Sequence, residues 1–215
     1  MKRRSLGHVA AAALTGGLLA GAWPLALAAD EAPDAMIKRL SDEVLSAIRS
    51  DPALHGGDLA KVMALVDGKV MPNVNFQRMT ASAVGPAWRQ ATPLQRQRLQ
   101  DEFKLLLVRT YAGALTQVKD EAVSMKPLRA APNDTEVVVR SEIRGRGDPI
   151  QLDYRLEKTP GEGAGWKIYN LNVLGVWLVE TYRSQFSQEI NARGVDGLIA
   201  SLAERNRANA DAKRG

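Results

Sequence analysis

Reaction chemistry in this chain would have to come from very few residues. Beyond its first 28 positions the sequence holds a single histidine, His55, followed by Gly56 and Gly57. A histidine-based metal site needs further ligands, and a Ser-His-Asp or Cys-His arrangement would need His55 as its base. No Gly-x-Ser-x-Gly turn surrounds any serine, and there is no cysteine. His55 therefore reads as a solvated loop residue. The carboxylates Glu142, Asp153 and Glu157 fall on neighbouring predicted strands, where a pair can do general acid–base work. The plainer reading of such residues is a charged, exposed strand face. No Walker loop or dinucleotide fingerprint occurs, and Arg146-Gly147-Asp148, although it spells an adhesion tripeptide, has the composition of a tight turn. No metal and no cofactor are expected.

The elements that would position these residues follow from hydrophobic spacing. From Pro33 to about Asp51, the residues Ile37, Leu40, Val44, Leu45 and Ile48 make one stripe of an amphipathic helix. His55-Gly56-Gly57 breaks it. Asp58 caps a second helix running through Val62, Leu65 and Val66 to Val70, where Pro72 stops it. Asn75 caps a short third helix that carries Phe76 and Met79 and ends at Gly85-Pro86. Thr92-Pro93-Leu94-Gln95 has a cap, a first-turn proline and a capping-box glutamine. The helix it starts runs to about Val118, with Leu99, Phe103, Leu106, Leu107 and Tyr111 facing inward. The period then changes to two, and Ala122–Met125, Thr135–Arg144, Pro149–Lys158 and Trp166–Leu174 read as strands. Gly145–Asp148 and Pro160–Gly165 are turns of hairpin length, which makes the sheet an antiparallel meander. Leu152, Tyr154 and Leu156 alternate with Gln151, Asp153 and Arg155, giving that strand one apolar face. Two helices, Val176 to about Arg193 and Val195 to about Arg207, close the chain. The class is α+β, with helices on one face of a curved antiparallel sheet.

The first residues set the compartment. Lys2, Arg3 and Arg4 precede an apolar stretch from Val9 to about Leu27 that ends in Ala26-Leu27-Ala28. This is the layout of a signal peptide over residues 1–28, cleaved after Ala28. The competing reading is a retained anchor, which Gly16, Gly17, Gly21 and Pro24 would interrupt. Without a cysteine the released protein carries no lipoprotein anchor and no disulfide, so its core alone must hold it together. About 187 residues remain, enough for one sizeable domain over 29–208 with a flexible tail at 209–215. The formal charge of the whole chain is +5, but the signal holds three of the 29 basic residues and none of the 24 acidic ones. The mature surface is nearly balanced and lacks the dense basic stripe of a nucleic-acid binder. A local cluster of Arg140, Arg144, Arg146 and Arg155 reads as a solvated sheet face.

Two segments carry a family resemblance. Val70 to Leu115 contains Asn75-Phe76, Met79, Gly85-Pro86-Ala87-Trp88-Arg89, Ala91-Thr92-Pro93, Gln95-Arg96, Glu102-Phe103 and Arg109-Thr110-Tyr111. Trp166 to Leu202 contains Trp166-Lys167-Ile168-Tyr169, Leu174-Gly175-Val176, Leu178-Val179, Tyr182-Arg183-Ser184-Gln185-Phe186 and Gly197-Leu198-Ile199. Both resemble the MlaC family, soluble periplasmic proteins of outer-membrane lipid asymmetry that are also labelled toluene-tolerance auxiliaries. The chain departs from the pattern at Asn75 and Asn170, where acids are frequent, and at Leu174 and Trp177, where Glu and Ser are. The resemblance implies an NTF2-like body with an apolar cavity between sheet and helices and a phospholipid as cargo. It also implies a monomer that docks in turn to an inner-membrane ABC-transporter complex and an outer-membrane lipoprotein–porin complex, with no nucleic-acid partner.

A carrier must hide acyl chains from water. Each buried methylene gains about 0.8 kcal/mol, so two chains of about 16 carbons gain roughly 25 kcal/mol gross. The cavity must be almost free of polar groups. Leu152, Tyr154, Leu171 and Val173 on strands can form one wall, and Phe76, Met79, Phe103, Leu106 and Leu107 on helices another, with Tyr182 and Phe186 closing the end. The same residues would serve equally well as a filled core. Arg89, Arg109 and Arg183 are candidates for head-group phosphate or partner contacts, against surface ion pairs. Two rivals to the carrier stay open: an NTF2-like periplasmic enzyme using strand carboxylates in a polar pocket, and a ligand-free periplasmic adaptor.

Overall fold

The structure, a computed structural model, describes residues 31–115, 118, 120–131 and 133–211. The expected signal peptide lies outside these residues. Helices lead the described chain: α1 (Pro33–Ser50), α2 (Pro52–His55), α3 (Leu59–Leu65), α4 (Phe76–Val84), α5 (Ala87–Gln90) and α6 (Pro93–Leu115). Five strands follow, β1 (Ala122–Met125), β2 (Glu136–Arg144), β3 (Ile150–Lys158), β4 (Trp166–Val173) and β5 (Val176–Trp177), and then α7 (Leu178–Asp211). The sheet is an antiparallel meander in chain order. None of the described helices is long and apolar enough to cross a membrane.

Local chemistry fixes most boundaries. Pro33 occupies the first turn of α1, whose Met36, Ile37, Leu40, Leu45 and Ile48 are buried. The Asp58 carboxylate accepts from the Ala60 and Lys61 amides and starts α3. The second predicted helix does not stay α-helical to Val70: it loosens into a π turn over Val66–Val70 and a 3-10 turn over Met71–Asn73, where Pro72 cannot donate. Asn75 Oδ1 accepts from the Arg78 amide at 2.9 Å and opens α4. The capping box before α6 is complete, with Gln95 donating to Thr92 Oγ1 at 3.2 Å and Thr92 donating to Gln95 Oε1 at 2.9 Å. His55 ends the short helix α2 rather than standing in a loop, and it is exposed.

The C-terminal helix bends at Gly194, whose φ of 69° and ψ of −171° lie outside helical values. The two predicted closing helices meet there, between Arg193 and Val195. The first begins at Leu178 because Val176–Trp177 fold back on β4 as a fifth strand, and the second runs on past Arg207 to Asp211.

Three apolar clusters hold these layers. The first lies among α4, α6 and α7, with Leu171 and Val173 of β4 against it. The second joins Met36, Ile37 and Leu40 of α1 to Val137, Val139, Leu156, Trp166 and Ile168 of the sheet. The third, smaller, packs Leu54 and Val62 on Val108 and Ala112 of α6.

Candidate functional site

The eleven residues expected to form apolar walls separate cleanly. Phe76, Met79, Phe103, Leu106, Tyr182 and Phe186 are buried members of the first cluster, and Leu107, Leu171 and Val173 pack against it half-buried. Tyr154 belongs to the second cluster, and Leu152 lies half-buried opposite Val173 without joining either. The arrangement is centred on Phe103, which is fully buried. Its ring lies 5.7 Å from Phe76, 4.9 Å from Tyr182 and 5.2 Å from Phe186, the last two edge-on. Burial pushes the Tyr182 hydroxyl up from its ordinary value, opposed by a hydrogen bond with Thr110. Burial does the same to Tyr154, against hydrogen bonds with Ser41 and Ser141. Both phenols therefore stay neutral, which suits an apolar surround.

A bulge in β4 decides which strand residues join this cluster. Arg155 pairs with Asn170 but Leu156 pairs with Ile168, so Tyr169 is an extra residue. Strict alternation from Trp166 and Ile168 would send Asn170 and Asn172 to the helix side. The bulge turns Leu171 and Val173 there instead, opposite Tyr154 and Leu152. Asn170 then serves the outer face: its Oδ1 accepts from the Val179 amide at 3.1 Å and caps the start of α7, while Nδ2 donates to Glu180 Oε2 at 2.8 Å.

Eight further buried members of the first cluster were not among the expected wall residues: Ala83, Val84, Trp88, Leu99, Leu178, Val179, Leu198 and Leu202. Their signal was present. Ala83 and Val84 continue the Phe76 and Met79 stripe by one turn, and Leu198 and Leu202 stand four apart.

The polar candidates do not converge. Glu142 pairs with Lys126 and Arg144, Asp153 lies 4.0 Å from Arg140, and Glu157 pairs with Arg78 at 2.5 Å. Each carboxylate thus answers to its own cation, and the described residues contain no cluster of three or more His, Asp or Glu able to hold a metal. The four sheet arginines are likewise engaged, Arg144 with Glu142, Arg146 with Asp120, Arg155 with Glu180 and Arg140 with Asp153. One polar cleft of about 500 Å³ opens on this face, between Arg129 and Tyr169 and over Glu136, Arg140 and Arg155. It is lined by none of the eleven apolar residues.

The chain is similar to known proteins over most of its length. The family model described as MlaC protein matches residues 38–204. Toluene tolerance protein ttg2D of Pseudomonas putida is 24% identical over 198 residues, covering 89% of this chain and 91% of its own. The intermembrane phospholipid transport system binding protein MlaC of Haemophilus influenzae is 22% identical over 178 residues, with 82% and 83% covered. A phospholipid-binding protein from Ralstonia solanacearum, solved in complex with a phospholipid, is 51% identical, with a TM-score of 0.79 over 82% of this chain and 98% of that one.

Proposed function

The chain belongs to the MlaC family, and on that premise we propose that it is a periplasmic phospholipid carrier, holding acyl chains between the sheet and helices α4, α6 and α7. The observation that carries this reading is the phospholipid in the solved Ralstonia relative, at 51% identity over nearly all of that chain. The gathering of nine expected wall residues in one apolar cluster supports the same assignment. Cargo would replace contacts that the side chains now make with one another. Exchanging tails between a bilayer and a protein core moves them from one apolar place to another and yields little net free energy. Transfer therefore relies on docking, to an inner-membrane ABC-transporter complex on one side and an outer-membrane lipoprotein–porin complex on the other. A monomer released by cleavage of the signal peptide would suit such shuttling. The strand carboxylates pair with separate cations instead of converging, which favours the carrier over the enzymatic reading.

Mass spectrometry on the gently purified mature protein, first native and then after organic extraction, tests this directly. A stoichiometric phospholipid that survives gel filtration is the expected result. A lipid-free protein that also takes none from liposomes or membrane partners would instead favour the adaptor.

A further inference from the structure

Three arginines stand out in the motif segments, and the fold treats them differently. Arg109 is committed, donating from Nη1 to the Asn206 carbonyl at 2.6 Å across α6 and α7. Arg89 and Arg183 instead line one shallow cleft of about 340 Å³, together with Arg78, Ser82, Gly85 and Trp88. No Asp or Glu lines it, and Arg78 is already neutralised by Glu136 and Glu157. Among the described residues neither Arg89 nor Arg183 has a carboxylate at ion-pair distance, and both are exposed. Gly85 has a φ of 73°, and a side chain there would stand 3.5 Å from Arg183 Nε, so this guanidinium lies along bare backbone.

We propose that this cleft docks the protein on a bilayer by binding the phosphate of an anionic phospholipid head group. Two free guanidiniums over a small acid-free hollow fit a tetrahedral oxyanion, which the planar donor fork of arginine grips in bidentate fashion. The phosphate belongs to a lipid outside the core. Helices α4 and α7 turn Met79 and Tyr182 into the first cluster and Ser82 and Arg183 into the cleft; Trp88 is shared between the two, but neither Arg89 nor Arg183 joins the cluster. The surrounding corner suits a head-group layer: Pro86 is exposed, and Leu94 is 62% exposed at the start of α6. That start is tied to the cleft by Arg96, which donates to the Trp88 and Arg89 carbonyls at 3.0 and 3.1 Å. The site goes beyond the carrier reading, which concerns cargo in the core, and rests on it only for the choice of membrane.

The test is co-sedimentation of the full mature chain with vesicles of phosphatidylethanolamine and phosphatidylglycerol, against vesicles of phosphatidylcholine alone. Arg89→Glu/Arg183→Glu is expected to weaken binding to the anionic vesicles about thirtyfold or more. A charge-matched control, Arg98→Glu/Arg146→Glu, should stay within about twofold of the wild type if the cleft and not net charge is read. Arg89→Gln/Arg183→Gln, with circular dichroism, provides the same comparison should the reversed charges disturb folding. Equal losses in cleft and control variants, or a wild type that ignores anionic vesicles, would overturn the proposal. So would vesicle binding that survives the cleft variants while binding to an acidic protein partner is lost. Cargo measured by mass spectrometry on the same preparations keeps the two readings apart. A lipid-free wild type sinks the carrier and leaves docking to the vesicle result. Cargo lost from the cleft variant alone, with vesicle binding intact, assigns the phosphate to cargo and overturns docking.

Discussion

At the scale of single residues, the apolar cluster was largely legible because its members recur at helical or strand spacing. Nine of the eleven residues taken from the pattern meet in one cluster. What could not be read is whether such residues fill a core or line a hollow, since both demand the same side chains. The strand wall offers the sharpest test. Leu171 is half-buried, faces the first cluster and stands opposite Tyr154. Leu171→Glu would place a carboxylate among acyl chains, where an unpaired charge is strongly disfavoured. In the ligand-free fold the same carboxylate can still reach water from its half-buried position. Phospholipid recovered by mass spectrometry should therefore fall to near background while the far-ultraviolet dichroism stays that of the wild type. An unchanged lipid load would remove Leu171 from the wall. Asn170 was less legible: sequence marked it only as a departure from the family's acid, and its capping role depends on a bulge and on α7, both distant from any local pattern.

Elements were legible where they carry their own punctuation. The Thr92/Gln95 box, the Asn75 cap and the break between Arg193 and Val195 all state themselves in a few consecutive residues. The fifth strand did not, because two residues have no period, and Val176-Trp177 adjoins a helix start. The bulge at Tyr169 was equally silent, being a property of two strands in register. Gly194 gives an element-scale prediction. Its φ and ψ fall in a region essentially closed to side chains, although the space around it is open. Gly194→Ala should cost about 1–3 kcal/mol in urea unfolding through backbone strain alone. Gly147, with equally open space and no positive φ, is the control, and Gly147→Ala should be neutral or slightly stabilising. Equal effects at the two sites would mean that the bend imposes no strain. The β4–β5 hairpin makes the opposite prediction. Its two turn residues, Leu174 and Gly175, have φ of 52° and 87°, the signature of a turn that prefers Asn-Gly. A left-handed leucine costs about 1–2 kcal/mol, so Leu174→Asn should raise the unfolding midpoint by a stability gain of about 1 kcal/mol. A loss instead would show that the exposed leucine makes contacts worth more than its strain.

At the scale of the whole molecule, the sheet is joined to its helices from both sides, and only one of these joints is apolar. On the outer face Arg78 of α4 donates to Glu157 of β3 at 2.5 Å and Glu136 of β2 at 2.6 Å, and its guanidinium lies 3.6 Å from the centre of the Tyr169 ring. Arg155 of β3 reaches Glu180 of α7 at 2.5 Å and lies 4.1 Å over Trp177. Hydrophobic clusters resist sliding poorly because they are non-directional, whereas these forks fix where α4 and α7 sit along the strands. The clamp titrates. Hydrogen bonds from Arg78 and Tyr169 hold the Glu136 carboxyl below its ordinary value of 4.5. For Glu180, burial pushes the carboxyl up, but hydrogen bonds from Asn170 and Arg155 outweigh it and the net direction is also down. A carboxylate whose folded value is lowered stabilises the fold fully above its unfolded value, and that contribution fades as pH falls through the lowered folded value. Urea midpoints measured from neutral pH down to about pH 3 should therefore hold level and then drop below the ordinary carboxylate range. Glu136→Gln/Glu180→Gln keeps the side-chain shapes and removes both charges. It should start from a lower midpoint at neutral pH and lose less on acidification, so that the two curves converge. Parallel curves would mean that these carboxylates do not couple helices to sheet, and that the apolar clusters alone set how α4 and α7 lie.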